Sequence, residues 1–134
     1  MADSARKTEV SVVIPVCNEA GTVKELHARL TKVLSDAVKS FEIIFVDDGS
    51  NDGTLEALKV LRPVTIVRLS HNSGKTTATA AGVRESKGEI IVTMDGDLEN
   101  LPEDIPLLLE KIYKQLLRAE LCPQRRADHR EHWN

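Results

Sequence analysis

Two cysteines and four aromatic residues (two Phe, one Tyr, one Trp) in 134 residues leave several architectures without material. Cys17 and Cys122 stand far apart, with no Cys-x-x-Cys or Cys/His spacing, so neither a disulfide framework nor a zinc site is expected and a reducing compartment is the default. Phe41, Phe45, Tyr113 and Trp133 are too few for base- or sugar-stacking platforms, so recognition must be mostly polar. The longest apolar runs, Val12-Val13-Ile14 and Pro106 to Leu109, fall far short of the roughly 18 residues of a membrane span. The start of the chain is polar and charged, so no signal peptide is expected, and the protein is read as cytoplasmic. Charge of one sign is also missing: 18 Lys+Arg against 21 Asp+Glu give a net charge of -3, without the basic clusters that bind phosphate backbones. Nucleic acid is therefore not an expected partner, and nothing in the pattern fixes an oligomeric state.

What is present is ordinary globular material, 41% hydrophobic and 29% charged, in a chain long enough to bury a core unaided. VSVVIPV (10–16), FEIIFV (41–46), VTIVRL (64–69) and EIIVTM (89–94) are β-branched and nearly continuous in apolar character, as strands covered on both faces must be. Between the first two, Val23, Leu26, Leu30, Val33, Leu34 and Val38 recur at helical spacing, with Thr22 placed to cap the start and His27 read as a surface residue. Thr54 to Leu61 predicts a shorter helix. Gly74 to Glu85 predicts a third, whose Ala78, Ala81 and Gly82 permit close packing on a sheet. Pro102, Glu103 and Asp104 suit the start of a fourth, carried on by Ile105, Leu108, Leu109, Ile112 and Leu116.

The order is βαβαβαβα, which predicts an α/β fold: a Rossmann-like, open, mostly parallel twisted sheet with helices on both faces. Residues 1–9 read as a polar arm, 10–117 as the folded domain, and 118–134 as a poorly ordered charged tail, because the apolar period lapses after Leu117. In such folds ligands sit beyond the carboxyl ends of the strands. All four ends are polar here: Pro15-Val16-Cys17-Asn18-Glu19, Asp47-Asp48-Gly49-Ser50-Asn51-Asp52, Ser70-His71-Asn72-Ser73-Gly74-Lys75 and Asp95-Gly96-Asp97-Leu98-Glu99. Acidic groups gathered at three of them would repel one another unless a cation neutralised them.

Asp95 and Asp97 at i, i+2 in an extended segment share one side and reach one divalent ion, while Gly96 lets a ligand approach the backbone. Hard oxygen donors select Mg²⁺ or Mn²⁺, often shared with a diphosphate; a solvated Asp-Gly-Asp turn is the plain alternative. Asp48 is expected at a ligand, whereas Ser50 and Asp52 suit a turn that caps the second helix. Asn18 and Glu19 either cap the first helix or accept hydrogen bonds from a nucleoside. Cys17 is read as a small buried hydrophobe. Ser73-Gly74-Lys75-Thr76 resembles the end of a phosphate-binding loop, but Leu69 stands where its first glycine belongs. Lys75 either meets phosphate charge or is solvated.

Taken together and in order, VSVVIPVCNEAGTV, FEIIFVDDGSNDGT, HNSGKTTATAAG and GEIIVTMDGDLENLPEDIP resemble the N-terminal half of family 2 glycosyltransferases, particularly the polyprenyl- or dolichyl-phosphate sugar transferases. The resemblance spans about residues 10 to 117. It implies a nucleotide-sugar site in which Pro15, Val16, Asn18, Glu19 and Asp48 hold the nucleoside. It makes Asp95 and Asp97 the family's Asp-x-Asp, with Asp97 the direct ligand of Mg²⁺ or Mn²⁺. Gly96 is commonly Ala in relatives, a change expected to be harmless, and Glu99 stands where Gln is frequent. The implied reaction is inverting transfer from a UDP- or GDP-linked sugar, with a polyprenyl or dolichyl phosphate as acceptor and a peripheral place at the cytoplasmic membrane face. Relatives continue into acceptor-binding segments that residues 117–134 do not match, so the expectation is a donor-binding half. A nucleotide-binding fragment without transfer and a phosphate-loop NTPase are the competing readings.

Overall fold

The computed structural model of the chain describes residues 7–121. Four strands and four helices alternate as expected: β1 (Val10–Val16), α1 (Val23–Ala37), β2 (Phe41–Asp48), α2 (Thr54–Lys59), β3 (Thr65–Leu69), α3 (Lys75–Glu85), β4 (Ile90–Thr93) and α4 (Ile105–Leu121). A 3-10 turn, Pro102–Asp104, precedes α4. The strands are all parallel, in the order β3-β2-β1-β4. The chain divides into two compact units, one ending at Glu103 and the other beginning at Asp104.

In the first unit, right-handed crossovers dictate where the helices go. From β1 the chain steps to β2 and then β3 in one direction, and it returns past β1 to β4 in the other. That reversal puts α1 and α2 on one face and α3 on the opposite one. The α3 face is made by Val13, Ile44 and Val46 against Ala78 and Ala81, flanked by Val67 and Leu69. At Gly82 a Cβ would lie 2.4 Å from Val13 Cγ1 and 2.8 Å from Val46 Cγ2, so α3 approaches the sheet more closely than any side chain there would allow. On the opposite face Val12, Ile14, Ile43 and Phe45 are fully buried, as are Leu26, Leu30 and Leu34 of α1. Truncating one such Leu to Ala costs about 2–5 kcal/mol.

Two local expectations change. His27 is buried rather than on the surface, at 5% exposure, because it shares the stripe of Val23, Leu26, Leu30 and Leu34. Its Nε2 lies 2.7 Å from the carbonyl of Pro63, an acceptor only, so the proton sits on Nε2. Thr22 holds the N-cap position of α1 but makes no side-chain cap. Its hydroxyl donates to the carbonyl of Gly96 at 2.9 Å, tying the loop after β1 to the loop after β4.

In the second unit α4 runs through Arg118 to Leu121, so residues 118–121 belong to a helix and not to the expected tail. Arg, Ala, Glu and Leu are all good helix formers, and they continue the helix where the apolar period has lapsed. A Glu110–Lys114 pair at 3.1 Å supports it at i, i+4 spacing. The remainder of the expected tail, with Cys122 and Trp133, lies outside the described residues, as do residues 1–6 of the expected arm. Among the described residues no helix is long and apolar enough to cross a membrane.

Candidate functional site

The topological switch between β1 and β4 opens a crevice at their carboxyl ends, where a doubly wound sheet receives ligands. A cavity of about 320 Å³ lies there, lined by Pro15, Val16, Cys17, Glu19, Asp48, Asn72, Gly74, Lys75, Asp95, Gly96 and Asp97. Its size suits a small polar ligand.

One wall is a pair of interlocked loops. The amide of Asn18 donates to Ser50 Oγ at 2.9 Å, and Asn18 Oδ1 accepts from the amide of Asn51 at 3.0 Å. Asn18 has φ 56, a left-handed conformation that Asn tolerates better than most residues. The amide of Glu19 donates to Thr54 Oγ1 at 2.9 Å, and that of Ala20 to Asp52 Oδ2 at 3.4 Å. Asp52 Oδ1 also accepts from the Thr54 amide at 2.9 Å, the turn expected at the start of α2. The Thr54 hydroxyl donates to Asp52 as well and holds that carboxyl below its ordinary 3.8. Asp47, 1% exposed, orders its own loop by accepting from the Ser50 amide at 3.1 Å.

The floor is set by Asp48, which is 4% exposed. Its two oxygens accept from the amides of Ser73 at 2.7 Å and Gly74 at 3.0 Å, fixing the loop between β3 and α3. Those are the amides that a phosphate-binding loop would turn toward its ligand, so the resemblance at Ser73-Gly74-Lys75-Thr76 does not carry the geometry of one. Gly49, with φ +74, lets the β2 loop pass this turn: a Cβ there would sit 2.5 Å from the Asn72 amide nitrogen.

The far wall is the loop after β4. Asp95 and Asp97 both line the cavity. Lys75, the first residue of α3, forms an ion pair with Asp95 Oδ1. That hydrogen bond, joined by the charges of Asp95 and Asp97, holds the ammonium above its ordinary 10.5. Asp97 Oδ1 accepts from the amide of Glu99 at 3.1 Å, and Asn100 Oδ1 accepts from the amide of Asp95 at 3.2 Å. Leu98 has φ 65, a conformation that costs an ordinary L-residue about 1–2 kcal/mol and concentrates at ligand-binding loops. Gly96 faces Val16 so closely that a Cβ would lie 2.5 Å from Val16 Cγ1, so an alanine here would need Val16 or the loop to shift.

Seven of the eight residues anticipated at the donor site (Pro15, Val16, Glu19, Asp48, Lys75, Asp95 and Gly96) line this one cavity together with Asp97, whereas Asn18 stands outside the lining. Cys17, Asn72 and Gly74 were not anticipated there. Cys17 is partly exposed rather than buried, and its Sγ lies 3.4 Å from Asn72 Nδ2. Among the described residues four carboxylates (Glu19, Asp48, Asp95 and Asp97) share the lining with a single ammonium. Among the described residues no three or more His, Cys, Asp or Glu side chains group to hold a metal by themselves. The donor chemistry still fits a hard cation, since Asp95 and Asp97 offer carboxylate oxygens on one loop. A two-carboxylate site completed by ligand phosphate oxygens and water is also the usual arrangement for Mg²⁺.

Comparison with known proteins gives the family and the fold. The family model for glycosyl transferase family 2 matches residues 11–129. An undecaprenyl-phosphate 4-deoxy-4-formamido-L-arabinose transferase of Pseudomonas aeruginosa is 41% identical over 107 residues, covering 76% of this chain and 32% of that protein. Among solved structures, a mannosyltransferase of Pyrobaculum calidifontis in complex with GDP-Man and Mn²⁺ matches with a TM-score of 0.61 at 28% identity, over 69% of this chain and 28% of the other. The glucosyl-3-phosphoglycerate synthase of Mycobacterium tuberculosis, in complex with Mn²⁺, UDP and glucosyl-3-phosphoglycerate, matches with a TM-score of 0.62 at 26% identity, over 83% of this chain and 41% of that one. The chain thus spans about a third of the length of the curated relative it matches.

Proposed function

Since the chain belongs to glycosyl transferase family 2, we propose that its strand-end cavity is the donor site of a glycosyltransferase, binding the nucleoside diphosphate of a UDP- or GDP-linked sugar together with Mg²⁺ or Mn²⁺. The observation that carries the reading is the placement of Asp95 and Asp97 in one cavity at the switch point, with a cation already drawn to Asp95. The two solved relatives hold Mn²⁺ and a UDP or GDP compound, which supports it.

In this reading the interlocked wall of Pro15, Val16 and Glu19, with the floor at Asp48, receives the nucleoside through polar contacts. Asn18 serves by holding that wall in shape. Asp95 and Asp97 hold the divalent cation, with Asp97 its more direct ligand. When bound, that cation stabilises the negative charge that develops on the departing diphosphate.

The name of the Pseudomonas relative suggests a polyprenyl phosphate as acceptor. A phosphomonoester with a second pKa of about 6 is already largely dianionic at neutral pH, so its oxygen attacks the anomeric carbon without help from a strong base. Displacement from the side opposite the leaving diphosphate inverts the anomeric centre. A lipid acceptor would bring the protein to the cytoplasmic membrane face as a peripheral partner.

Thermal unfolding with UDP, GDP or ADP, each with and without Mn²⁺ or Mg²⁺, tests the donor-site reading. A diphosphate at 100 times its dissociation constant should stabilise the fold by about 2.7 kcal/mol, and only when the metal is present. Cooperative unfolding with no shift under any condition would contradict it, and stabilisation by ADP that depends on Thr76 would favour the NTPase reading instead.

A further inference from the structure

Lys75 occupies an unusual place in this cavity: among the described residues it is the only ammonium in the lining, and it is paired with one of the two carboxylates assigned to the metal. We propose that Lys75 is the resident counter-cation of Asp95, that an entering divalent ion must displace it, and that the freed ammonium then pairs with the diphosphate, so that metal and nucleotide bind as a coupled pair. The proposal rests on the donor-site reading for its second half and on Lys75 and the two carboxylates alone for its first.

Three observations support the exchange. The Lys75 side chain is 66% exposed and begins α3 directly after Gly74, so its stem is free to swing without disturbing the core. An ammonium on a four-carbon stem is a point charge with rotatable donors, able to change partners while the backbone stays still. Second, Asp48 cannot take its place as the partner that lets go, because both its oxygens are committed to the amides of Ser73 and Gly74. Third, the two carboxylates do not form a metal cage by themselves, so a cation entering alone gains few ligands while ejecting an ammonium. With the diphosphate present both deficits vanish, since its oxygens complete the coordination and receive Lys75. Coupling of this kind is reciprocal: the factor by which metal tightens nucleotide equals the factor by which nucleotide tightens metal.

The test is a titration with Mn²⁺ alone, following free Mn²⁺ by electron paramagnetic resonance, on wild type, Lys75→Gln and Lys75→Arg. The titration is then repeated with UDP or GDP. Removing the charge should tighten binding of Mn²⁺ alone by about five- to tenfold and shrink the metal–nucleotide coupling factor by a similar amount. Lys75→Arg keeps the charge and should behave like wild type with Mn²⁺ alone. Circular dichroism confirms that each variant is folded. Equal or weaker Mn²⁺ affinity in Lys75→Gln, or no measurable binding by either protein, overturns the exchange. If neither UDP nor GDP binds wild type with Mn²⁺, the donor-site reading fails instead, and the Mn²⁺-alone comparison still decides whether Lys75 competes for Asp95.

Discussion

The two ends of the sheet are built from the same kinds of residue and put them to opposite uses. At the amino ends, Ser11 is fully buried; its hydroxyl donates to Glu42 Oε2 at 2.6 Å and accepts from the Gly88 amide at 2.8 Å. Glu42 accepts from the Lys87 amide as well, and the Glu9 amide donates to Ser40 Oγ at 3.0 Å. Those polar groups pair with one another. At the carboxyl ends Asp47, Asp48 and Asp52 likewise bind backbone amides, yet Asp95 and Asp97 face a cavity and Asp95 takes a side-chain cation. Asp48 spends both oxygens on the amides of Ser73 and Gly74, whereas Asp97 gives one oxygen to the Glu99 amide and Asp95 meets the ammonium of an exposed lysine, so in the proposed donor site the last two are the carboxylates a cation can reach.

The sharpest way to break the contrast is Asp97→Ala. It should abolish the metal-dependent stabilisation by UDP or GDP, the whole of the roughly 2.7 kcal/mol expected at 100 times the dissociation constant. Without ligand its unfolding should stay within about 0.5 kcal/mol of wild type, since its side chain accepts from the Glu99 amide within an exposed loop. Retained metal-dependent binding would remove Asp97 from the metal site.

Ser11→Ala should do the reverse, costing about 1–3 kcal/mol in a denaturant melt because the Gly88 amide loses its acceptor and Glu42 one of its donors. Its nucleotide affinity should match wild type; a parallel loss of affinity would mean that the two ends are not independent.

Gly96→Ala probes the wall between them. The added Cβ would meet Val16 Cγ1 at 2.5 Å, so a cost of about 1 kcal/mol is expected, and adding Val16→Ala should cost less than the two single changes summed. Strict additivity would show that the loop relaxes without pushing on Val16.

The smallest effect concerns pH at the interlocked loops. The folded pKa of Asp52 is depressed, chiefly by the Thr54 hydroxyl, so its ionised form stabilises the fold above 3.8 and that contribution fades as pH falls through the lower folded value. Carbon-detected NMR titration of the Asp52 carboxyl should place its midpoint below 3.8; a midpoint at or above that value contradicts the bond as described.

Much of this was legible in the sequence because much of it is periodic. Continuous β-branched runs marked the four parallel strands, the 23, 26, 30, 34 spacing marked α1, and small residues at 78, 81 and 82 marked the face of α3 that meets the sheet. The rule that ligands sit at strand carboxyl ends then brought Pro15, Val16, Glu19, Asp48, Lys75 and Asp95 to one place. What stayed hidden depends on partners far along the chain. The Thr22 hydroxyl finds Gly96 and His27 finds Pro63; Asn18 is spent on Ser50 and Asn51. A local pattern reports which face a residue takes and does not report which loop comes back to meet it. His27 was the exception that periodicity could have found, since it lies on the apolar stripe of its own helix. Cys17 and Asn72 could have been suspected too, since both lie on strand-end loops.

The most direct measurement is a map of where Mn²⁺ goes when UDP or GDP is present, read from paramagnetic broadening of assigned backbone amide signals. With the metal at Asp95 and Asp97, the signals of Lys75 and of residues 95–99 should vanish first, while those of Ser11 and Gly88 at the opposite end persist. Broadening centred on the amino ends of the strands, or spread evenly over the molecule, would contradict it.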